Sequence, residues 1–321
     1  MHGHSHHTHA VDSVDRGETH THHHLGHSGA NGKLLVALLL TLSFAAVEAG
    51  VGWWSGSLAL MADAGHMVTD SSALGLAAVA AWLARRPPSL SHSYGFVRAE
   101  VLAALFNGVL MLALIGFIVS EAIERIGSPR DIAGGAVVGV AVIGLGINLA
   151  VAWILSRGEA TLNSRAALLH VMGDALGSVA AIASGVVILF TGWTPIDPLL
   201  SLFVAALILF SALRLLREVL HVLMEGVPSR IHLDEVGGDL AALPGVVRVH
   251  DLHVWTLSSG TVALSAHMEL RDLADWPHLL ATARETLARR HGITHVTLQP
   301  EVLTVAPLVR GEWVRTPPPD A

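Results

Sequence analysis

Residues 57–84 read SLALMADAGHMVTDSSALGLAAVAAWLA, and this stretch decides the fold. It is apolar over more than the roughly 20 residues that a helix needs to cross the hydrocarbon core of a bilayer. The same stretch contains Asp63, His66 and Asp70. An ionisable side chain at the centre of a membrane helix costs about 2.5 to 3.5 kcal/mol. The stretch therefore predicts a membrane-spanning helix whose polar residues have a function.

The rest of the chain extends this pattern. Hydrophobic residues make up 52% of the 321 residues and charged residues only 14%, a balance typical of membrane proteins. Runs of similar length and character recur from residue 33 onward. The predicted spans cover residues 33–54, 57–84, 99–124, 132–156, 164–190 and 196–218. We therefore expect a domain of six transmembrane helices over residues 33–220.

Basic residues are concentrated at one end of the predicted spans. That end is flanked by Lys33, Arg85, Arg86, Arg98, Arg157, Arg165, Arg214 and Arg217. The other end has only Arg125 and Arg130. Cytoplasmic loops carry the excess of Lys and Arg, so both termini are predicted to be cytoplasmic. The multi-pass chain is assigned to a bacterial cell membrane, the inner membrane, because its composition suggests a bacterial source.

The segment after the last span has the character of a soluble domain. Helical and strand patterns alternate along it, with turn signals between them. The predicted order is a helix at 232–243, strands at 246–257 and 261–270, a helix at 275–291 and a strand at 294–300. This αββαβ order predicts a small two-layer α+β domain. We place it at residues 226–308, followed by a tail at 309–321.

Histidine is unusually abundant in this chain. It occurs 21 times, against 19 Lys plus Arg, and cysteine does not occur. Any bound metal must therefore be held by imidazole and carboxylate groups rather than by thiolates. The net charge of −7 gives no reason to expect a nucleic-acid partner.

Two His-Asp pairs lie inside predicted spans. His66 precedes Asp70, and His170 precedes Asp174, by four residues, so each pair lies on one helical face. A single pair is explained as well by a hydrogen bond that fixes helix packing. Two pairs on separate spans favour a His2Asp2 site suited to tetrahedral Zn²⁺. Because both ligand types must be deprotonated to bind metal, such a site links metal binding to proton release.

Other polar residues in the spans have two interpretations. Asp63 lies on the face of His66 and Asp70 and is interpreted either as a proton acceptor near the approach to the site or as a hydrogen-bond partner of a neighbouring helix. Glu48 and Asn148 either support the ligands or make packing contacts between helices.

Several ordered motifs resemble one family, the cation diffusion facilitators. The similarity covers roughly residues 31–303. It lies in the runs Ser55–Asp70, Tyr94–Glu100, His170–Ser178, Trp193–Pro198 and Val249–Trp255. The resemblance implies a homodimeric zinc/proton antiporter that exports Zn²⁺, with Cd²⁺ or Co²⁺ as further substrates, by alternating access. Its ligands would be His66, Asp70, His170 and Asp174, the pattern of the zinc-selective branch.

The resemblance also implies roles outside the spans. The family's cytoplasmic domain is ferredoxin-like, dimerises and binds regulatory metal. The matching positions are His250, His267, His295 and Glu301, joined by His253. Arg98 and Glu225 match positions that form a charge interlock between subunits in some relatives.

Ten of the histidines lie in the first 27 residues. This Gly/Ser/Thr-rich leader, residues 1–32, has no apolar period and is predicted to be disordered. We interpret it as a low-affinity zinc collector at the cytoplasmic mouth.

Two rival functions are an intramembrane metalloenzyme and a membrane-anchored metal sensor. The first needs an enzyme motif, yet HExxH, P-loop and GxSxG patterns do not occur. The second does not need ionisable pairs on two spans. The sequence therefore favours a transporter that is not an enzyme.

Overall fold

The computed structural model describes residues 27–156, 162–258, 260–302 and 313–314. The predicted leader lies outside the described residues as far as residue 26, and residues 313–314 are the described part of the predicted tail. The described helices are α1 His27–Ser55, α2 Leu58–Ala84, α3 Ala99–Gly127, α4 Gly134–Ser156, α5 Leu162–Thr191, α6 Ile196–Leu223, α7 Leu233–Ala241 and α8 Trp276–His291. The strands are β1 Val246–Ser258, β2 Thr261–Leu270, β3 His295–Val302 and β4 Trp313–Val314.

The long apolar helices coincide with the predicted spans. Within the described residues, five segments are long and apolar enough to cross a membrane: Leu58–Ala84, Ala99–Gly127, Gly134–Trp153, Val171–Thr191 and Ile196–Leu223. The remaining predicted span falls on α1, where the side chains of residues 27–38 lie outside the described set. The prediction of a helical membrane protein with a C-terminal α+β domain is therefore confirmed.

Small residues let two of the membrane helices approach closely. A Cβ atom added at Gly134 on α4 would lie 2.9 Å from the carbonyl oxygen of Gly185 on α5. A Cβ atom at Gly185 would lie 2.9 Å from the Gly134 carbonyl oxygen. Close backbone contact of this kind is a principal source of helix association in membranes. It holds α4 against α5, the helix that carries Asp174.

One buried carboxylate joins three membrane helices. Asp197, at the start of α6, is fully buried. Its Oδ2 accepts from the backbone N–H groups of Leu58 and Ala59 at 2.6 and 3.3 Å. Its Oδ1 accepts from the hydroxyls of Ser57 and Ser184 at 2.7 and 2.9 Å. A carboxylate of α6 therefore satisfies the free N–H groups at the start of α2 and ties α2 to α5.

The C-terminal domain is a sheet with helices on one face. The strand order is β3-β2-β1-β4, with β1 antiparallel to β2 and β2 parallel to β3. Apolar residues of α7 and α8 form one core with the strands, including Val236, Leu240, Leu287, Leu264 and Met268. The predicted αββαβ order is confirmed. Strand β4 was not predicted, because two residues are too few to show a period.

Replacing Asp197 tests this junction. We expect Asp197→Asn to destabilise the folded protein by about 3 kcal/mol, because its amide group would face donors and leave them unsatisfied. The measurement is thermal unfolding of the full chain in detergent. Asp131→Asn is the matched control, since it removes the same charge from an exposed position between α3 and α4. Equal unfolding midpoints for the two variants would contradict the role given to Asp197.

Candidate metal centre

Three of the four predicted intramembrane ligands come together between α2 and α5. His66 Nε2 lies 3.6 Å from Asp70 Oδ2 on the same helix and 3.4 Å from Asp174 Oδ1 on the other. One ligand atom from each residue lies within 4.8 Å of the other two. The three side chains are 15 to 19% exposed. The sequence spacing put His66 and Asp70 one turn apart, and helix packing adds Asp174.

His170 is the fourth predicted ligand. It lies on α5, four residues before Asp174, and its side chain lies outside the described residues. The four-residue spacing puts the two positions on one face of a helix, and the role of His170 as a ligand stays a prediction.

The spacing of the three donor atoms suits a small divalent cation. A tetrahedral Zn²⁺ with ligands about 2.0 to 2.1 Å away holds its donor atoms about 3.4 Å from one another. The two distances from His66 Nε2 are close to this value. One imidazole nitrogen and two carboxylate oxygens are also ligand types that zinc accepts. The arrangement can hold a divalent metal ion within an apolar helical domain.

Asp63 lies three residues before His66 on α2, in a polar chain that crosses three helices. It is 3% exposed, and Ser178 Oγ on α5 donates to its Oδ2 at 3.4 Å. Asn148 Nδ2 on α4 donates to the same Ser178 hydroxyl at 3.4 Å. A Cβ atom at Gly177 would lie 2.9 Å from Asp63 Oδ1, so Gly177 lets α5 approach this carboxylate. Of the two interpretations of Asp63 given by the sequence, the hydrogen bond to a neighbouring helix is present, and Ser178 on α5 is the partner.

Glu48 on α1 is a second buried acid in this domain. It is fully buried, and its carboxylate oxygens have no hydrogen-bond partner within the described part of the chain. A Cβ atom at Gly144 on α4 would lie 3.0 Å from Glu48 Oε1. Glu48 therefore faces α4 near Gly144. It makes no hydrogen bond to Asn148, the other polar residue that the sequence suggested as a support for the metal ligands.

Sequence reasoning missed the roles of Ser178 and Asp197. Both lie inside the motifs His170–Ser178 and Trp193–Pro198. A single hydroxyl or carboxylate does not recur periodically along the sequence, so the sequence does not reveal its partner. Ser178 follows Asp174 by four residues, which gave one usable signal, because the two residues share a helical face. Asp197 acts on α2 across 139 residues of chain, and no local pattern predicts that contact.

A second cluster lies on the face of the C-terminal sheet opposite α7 and α8. His250 Nε2 on β1 lies 3.1 Å from Glu301 Oε2, and His267 Nδ1 on β2 lies 2.7 Å from Glu301 Oε1. The two imidazole rings are 5.2 Å apart between centroids. All three side chains are partly exposed, at 21 to 34%. The carboxylate of β3 therefore bridges two imidazoles that face each other across the β1–β2 pair.

A buried ion pair and a bulge fix this second cluster. Arg248 Nε donates to Glu269 Oε2 at 3.1 Å, and a second guanidinium nitrogen contacts Oε1. Arg248 pairs with Glu269, and His250 with His267, in the strand register. Asp251 follows with a positive φ of 48°, at a register shift between His250 and His253. Arg248 therefore pairs with Glu269, while the neighbouring Glu301 carboxylate contacts the two imidazoles and accepts from Gln299 Nε2 at 3.4 Å.

His295 and His253, the other two positions predicted for this site, lie outside the cluster of His250, His267 and Glu301. His295 is opposite Ala263 and Glu301 is opposite Glu269. A strand rises about 3.3 Å per residue, so His295 and Glu301 lie at opposite ends of β3. His295 instead has its ring 5.8 Å from that of Tyr94 in the loop between α2 and α3.

His253 is displaced along β1. It pairs with Ser265, the next residue of β2 on the same face as His267. The bulge at Asp251 keeps His253 on the face of His250, but one step farther from Glu301. His253 lines a cavity with Trp255 and Glu225 instead.

Arg98 and Glu225 pair within the chain. Their side chains approach to 3.0 Å and are 40 and 61% exposed. An exposed pair of this kind contributes little to stability. It connects the start of α3 to the turn after α6, where Glu225 has a positive φ of 57°.

Comparison with known families assigns both parts of the chain. The cation efflux transmembrane domain matches residues 34–224. The cytoplasmic domain of cation efflux proteins matches residues 228–302. These matches include every predicted intramembrane ligand and the His250, His267 and Glu301 cluster.

Several curated proteins match most of the chain. The zinc transporter ZitB of Escherichia coli K12 is 41% identical over 286 residues, covering 88% of this chain and 91% of that protein. The cadmium, cobalt and zinc/H(+)-K(+) antiporter of Bacillus subtilis 168 is 39% identical, covering 86 and 92%. The metal cation efflux system protein CzcD of Cupriavidus metallidurans is 40% identical, covering 89 and 90%.

A solved structure matches part of the chain. The metal-bound C-terminal domain of the CzcD transporter from Cupriavidus metallidurans is 38% identical and covers 22% of this chain and 99% of that one, with a TM-score of 0.21.

Loss of the Arg248 guanidinium tests what fixes the second cluster. We expect Arg248→Gln to destabilise the cytoplasmic domain by about 3 to 5 kcal/mol, because Glu269 would remain buried without its partner. Hydrogen exchange of peptides from residues 246–270, measured in the full chain, reports the change. Arg289→Gln breaks an exposed pair with Glu285 and should change exchange little. Unchanged exchange in Arg248→Gln would show that the pair does not hold the register.

Proposed function

The chain belongs to the cation efflux family, and from that premise we propose that it exports Zn²⁺ from the cytoplasm in exchange for protons. The observation that carries this proposal is the convergence of His66, Asp70 and Asp174 from two helices inside an apolar domain. Three ionisable groups there are costly unless they bind something. Relatives named as transporters of zinc, or of cadmium, cobalt and zinc, support the substrate.

The proposed transport site is completed by His170. It adds a second imidazole to the donor set, and two nitrogens with two oxygens suit the tetrahedral preference of Zn²⁺. We extend the substrate range to Cd²⁺ and Co²⁺, which accept imidazole and carboxylate ligands as well. Arrival of the metal from the cytoplasm and its release on the other side require alternating access to this one site.

Proton exchange follows from the ligand chemistry. Imidazole and carboxylate bind Zn²⁺ only when deprotonated, so metal and protons compete for the same atoms. Export of the metal and entry of protons then return the site to its starting state. Asp63 is proposed to accept a proton beside the ligands, because it is buried and linked to Ser178. The Bacillus subtilis relative is named as an antiporter that uses protons.

We propose a homodimer in the bacterial inner membrane with both termini in the cytoplasm. The excess of Arg at one end of the spans supports this orientation. The His-rich leader, residues 1–32, then lies on the side from which metal is taken and concentrates it there. Arg98 and Glu225, whose side chains approach to 3.0 Å, are proposed to form the charge interlock near the cytoplasmic surface.

The cytoplasmic cluster is proposed as a regulatory metal site. His250 and His267 offer two nitrogens, and Glu301 offers two oxygens placed between them. Each imidazole lies within reach of one carboxylate oxygen. Because the three residues come from three strands, metal binding there would tie β3 to the β1–β2 hairpin.

The rival functions are less well supported. The relatives are named as transporters, which confirms the prediction that the chain is not an enzyme. A metal sensor anchored in the membrane has no use for the pair formed by His66 and Asp174 between two spans.

Removing a transport ligand separates these functions. We expect Asp70→Asn and Asp174→Asn each to abolish Zn²⁺ uptake into proteoliposomes driven by a pH gradient, because each removes a charged ligand atom. Zn²⁺ entry is followed with an internal fluorescent indicator. Asp131→Asn is the control, as an exposed acid of the same domain. Undiminished Zn²⁺ uptake in either ligand variant would contradict the proposal that these residues form the transport site.

The cytoplasmic site is tested without transport. We expect Glu301→Gln to lower the amount of Zn²⁺ retained by the detergent-purified chain against a competing chelator, because the bridging carboxylate is lost. Asp70→Asn should remove a separate ion, so the two losses should add in the double variant. Glu285→Gln, at an exposed acid on α8, is the control. Retention equal to the unmodified chain would contradict a metal site at Glu301.

A further inference from the structure

Helix α6 presents a continuous exposed stripe that changes character along its length. Phe203, Leu207 and Phe210 follow one another at helical spacing and are 51, 40 and 74% exposed. The same line continues with Arg214 and Arg217, which are also exposed. From this stripe we propose that an anionic phospholipid of the cytoplasmic leaflet binds along the end of α6, with its phosphate held by arginines. The inference rests on the membrane orientation proposed above and not on metal transport.

The length of α6 places the arginines at the headgroup level. The helix has 28 residues and is therefore about 42 Å long, against about 30 Å for the hydrocarbon core. Because Asp197 at the start of α6 is buried and Arg214 and Arg217 near its end are exposed, we place the excess length in the last turns, beyond the acyl chains on the cytoplasmic side. Arg214 and Arg217 lie in these turns, whereas Phe210 lies about 6 Å and Phe203 about 16 Å deeper than Arg214 along the helix. The order along α6, apolar residues deeper and arginines nearer the surface, matches the acyl chains and the phosphate of a phospholipid.

A third arginine faces the same space from outside the membrane helices. Arg230 lines, with Arg214 and Arg217, a cavity of about 890 Å³ at the end of α6. His221 Nε2 on α6 donates to the Val227 carbonyl at 2.9 Å, which holds the segment before Arg230 against the helix. Gly226 leaves room for this contact, because a side chain there would overlap the His221 ring.

The cavity has an excess of positive charge. Arg214 pairs with Glu218 at 3.5 Å, an exposed and weak contact. Arg217 and Arg230 have no ion pair among the described residues. Three guanidinium groups therefore share one carboxylate, and guanidinium is the side chain best matched to phosphate geometry.

Lipid binding to the full chain in detergent tests the proposal. The probes are phosphatidylglycerol and phosphatidylcholine, titrated by native mass spectrometry. We expect phosphatidylglycerol to bind the unmodified chain more tightly than phosphatidylcholine. Arg217→Gln combined with Arg230→Gln should weaken phosphatidylglycerol about 30-fold, because each arginine near an anionic lipid contributes about 1 kcal/mol. Phosphatidylcholine binding should not change.

The control removes two arginines from the same membrane face. Arg85→Gln combined with Arg86→Gln changes the net charge equally, at exposed positions after α2, and should leave phosphatidylglycerol binding nearly unchanged. An equal loss in both double variants would mean general attraction to a basic surface and would overturn the site. Glu218→Gln should tighten phosphatidylglycerol binding, which tests the site even where the arginine variant folds poorly.

Two further outcomes would also overturn the proposal. If inorganic phosphate displaces phosphatidylglycerol at low concentration, the arginines bind a free anion and the apolar stripe is irrelevant. If the arginine variant loses the dimer while it keeps its lipid, α6 faces a second copy of the chain instead. A chain inactive in zinc transport that still shows the expected lipid selectivity would reject only the transport proposal.

Discussion

Polar groups inside an apolar helical domain must find their partners within the protein, and this constraint organises the membrane domain. Water is not there to satisfy them. Asp197 meets the constraint by capping α2 with two backbone hydrogen bonds. Asp63 meets it through Ser178. These contacts fix α2 and α5 against each other, and it is between α2 and α5 that His66 approaches Asp174.

The two clusters of potential ligands differ in how the chain builds them. In the membrane domain, a helical turn supplies His66 and Asp70, and one neighbouring helix supplies Asp174. In the cytoplasmic domain, three strands contribute one residue each, so the cluster depends on register alone. The first arrangement depends on the packing of α5 against α2, because His66 and Asp174 approach to 3.4 Å between them. The cytoplasmic cluster is lost when a strand slips by one residue, because the side chains then move to the other face. The buried pair of Arg248 and Glu269 beside it holds the register of β1 and β2.

The resemblance to the cation diffusion facilitators and the comparisons agree on the family. The matching regions meet between residues 224 and 228, where Glu225 pairs with Arg98 and His221 holds the next segment. This junction links the domain that contains the proposed transport site to the one that contains the proposed regulatory cluster. Movement of either part must therefore be accommodated by a few exposed contacts, which are weak enough to change.

The sequence by itself determined the features that arise from local periodicity. Apolar length predicted the spans, the four-residue spacing put His66 and Asp70 on one face, and alternation predicted β1 and β2. Tertiary structure alone decided which distant residues meet. The bulge at Asp251 and the direction of β3 separate His253 and His295 from Glu301. Periodicity is a property of neighbouring residues, whereas strand register and helix contacts depend on packing between segments far apart in the chain.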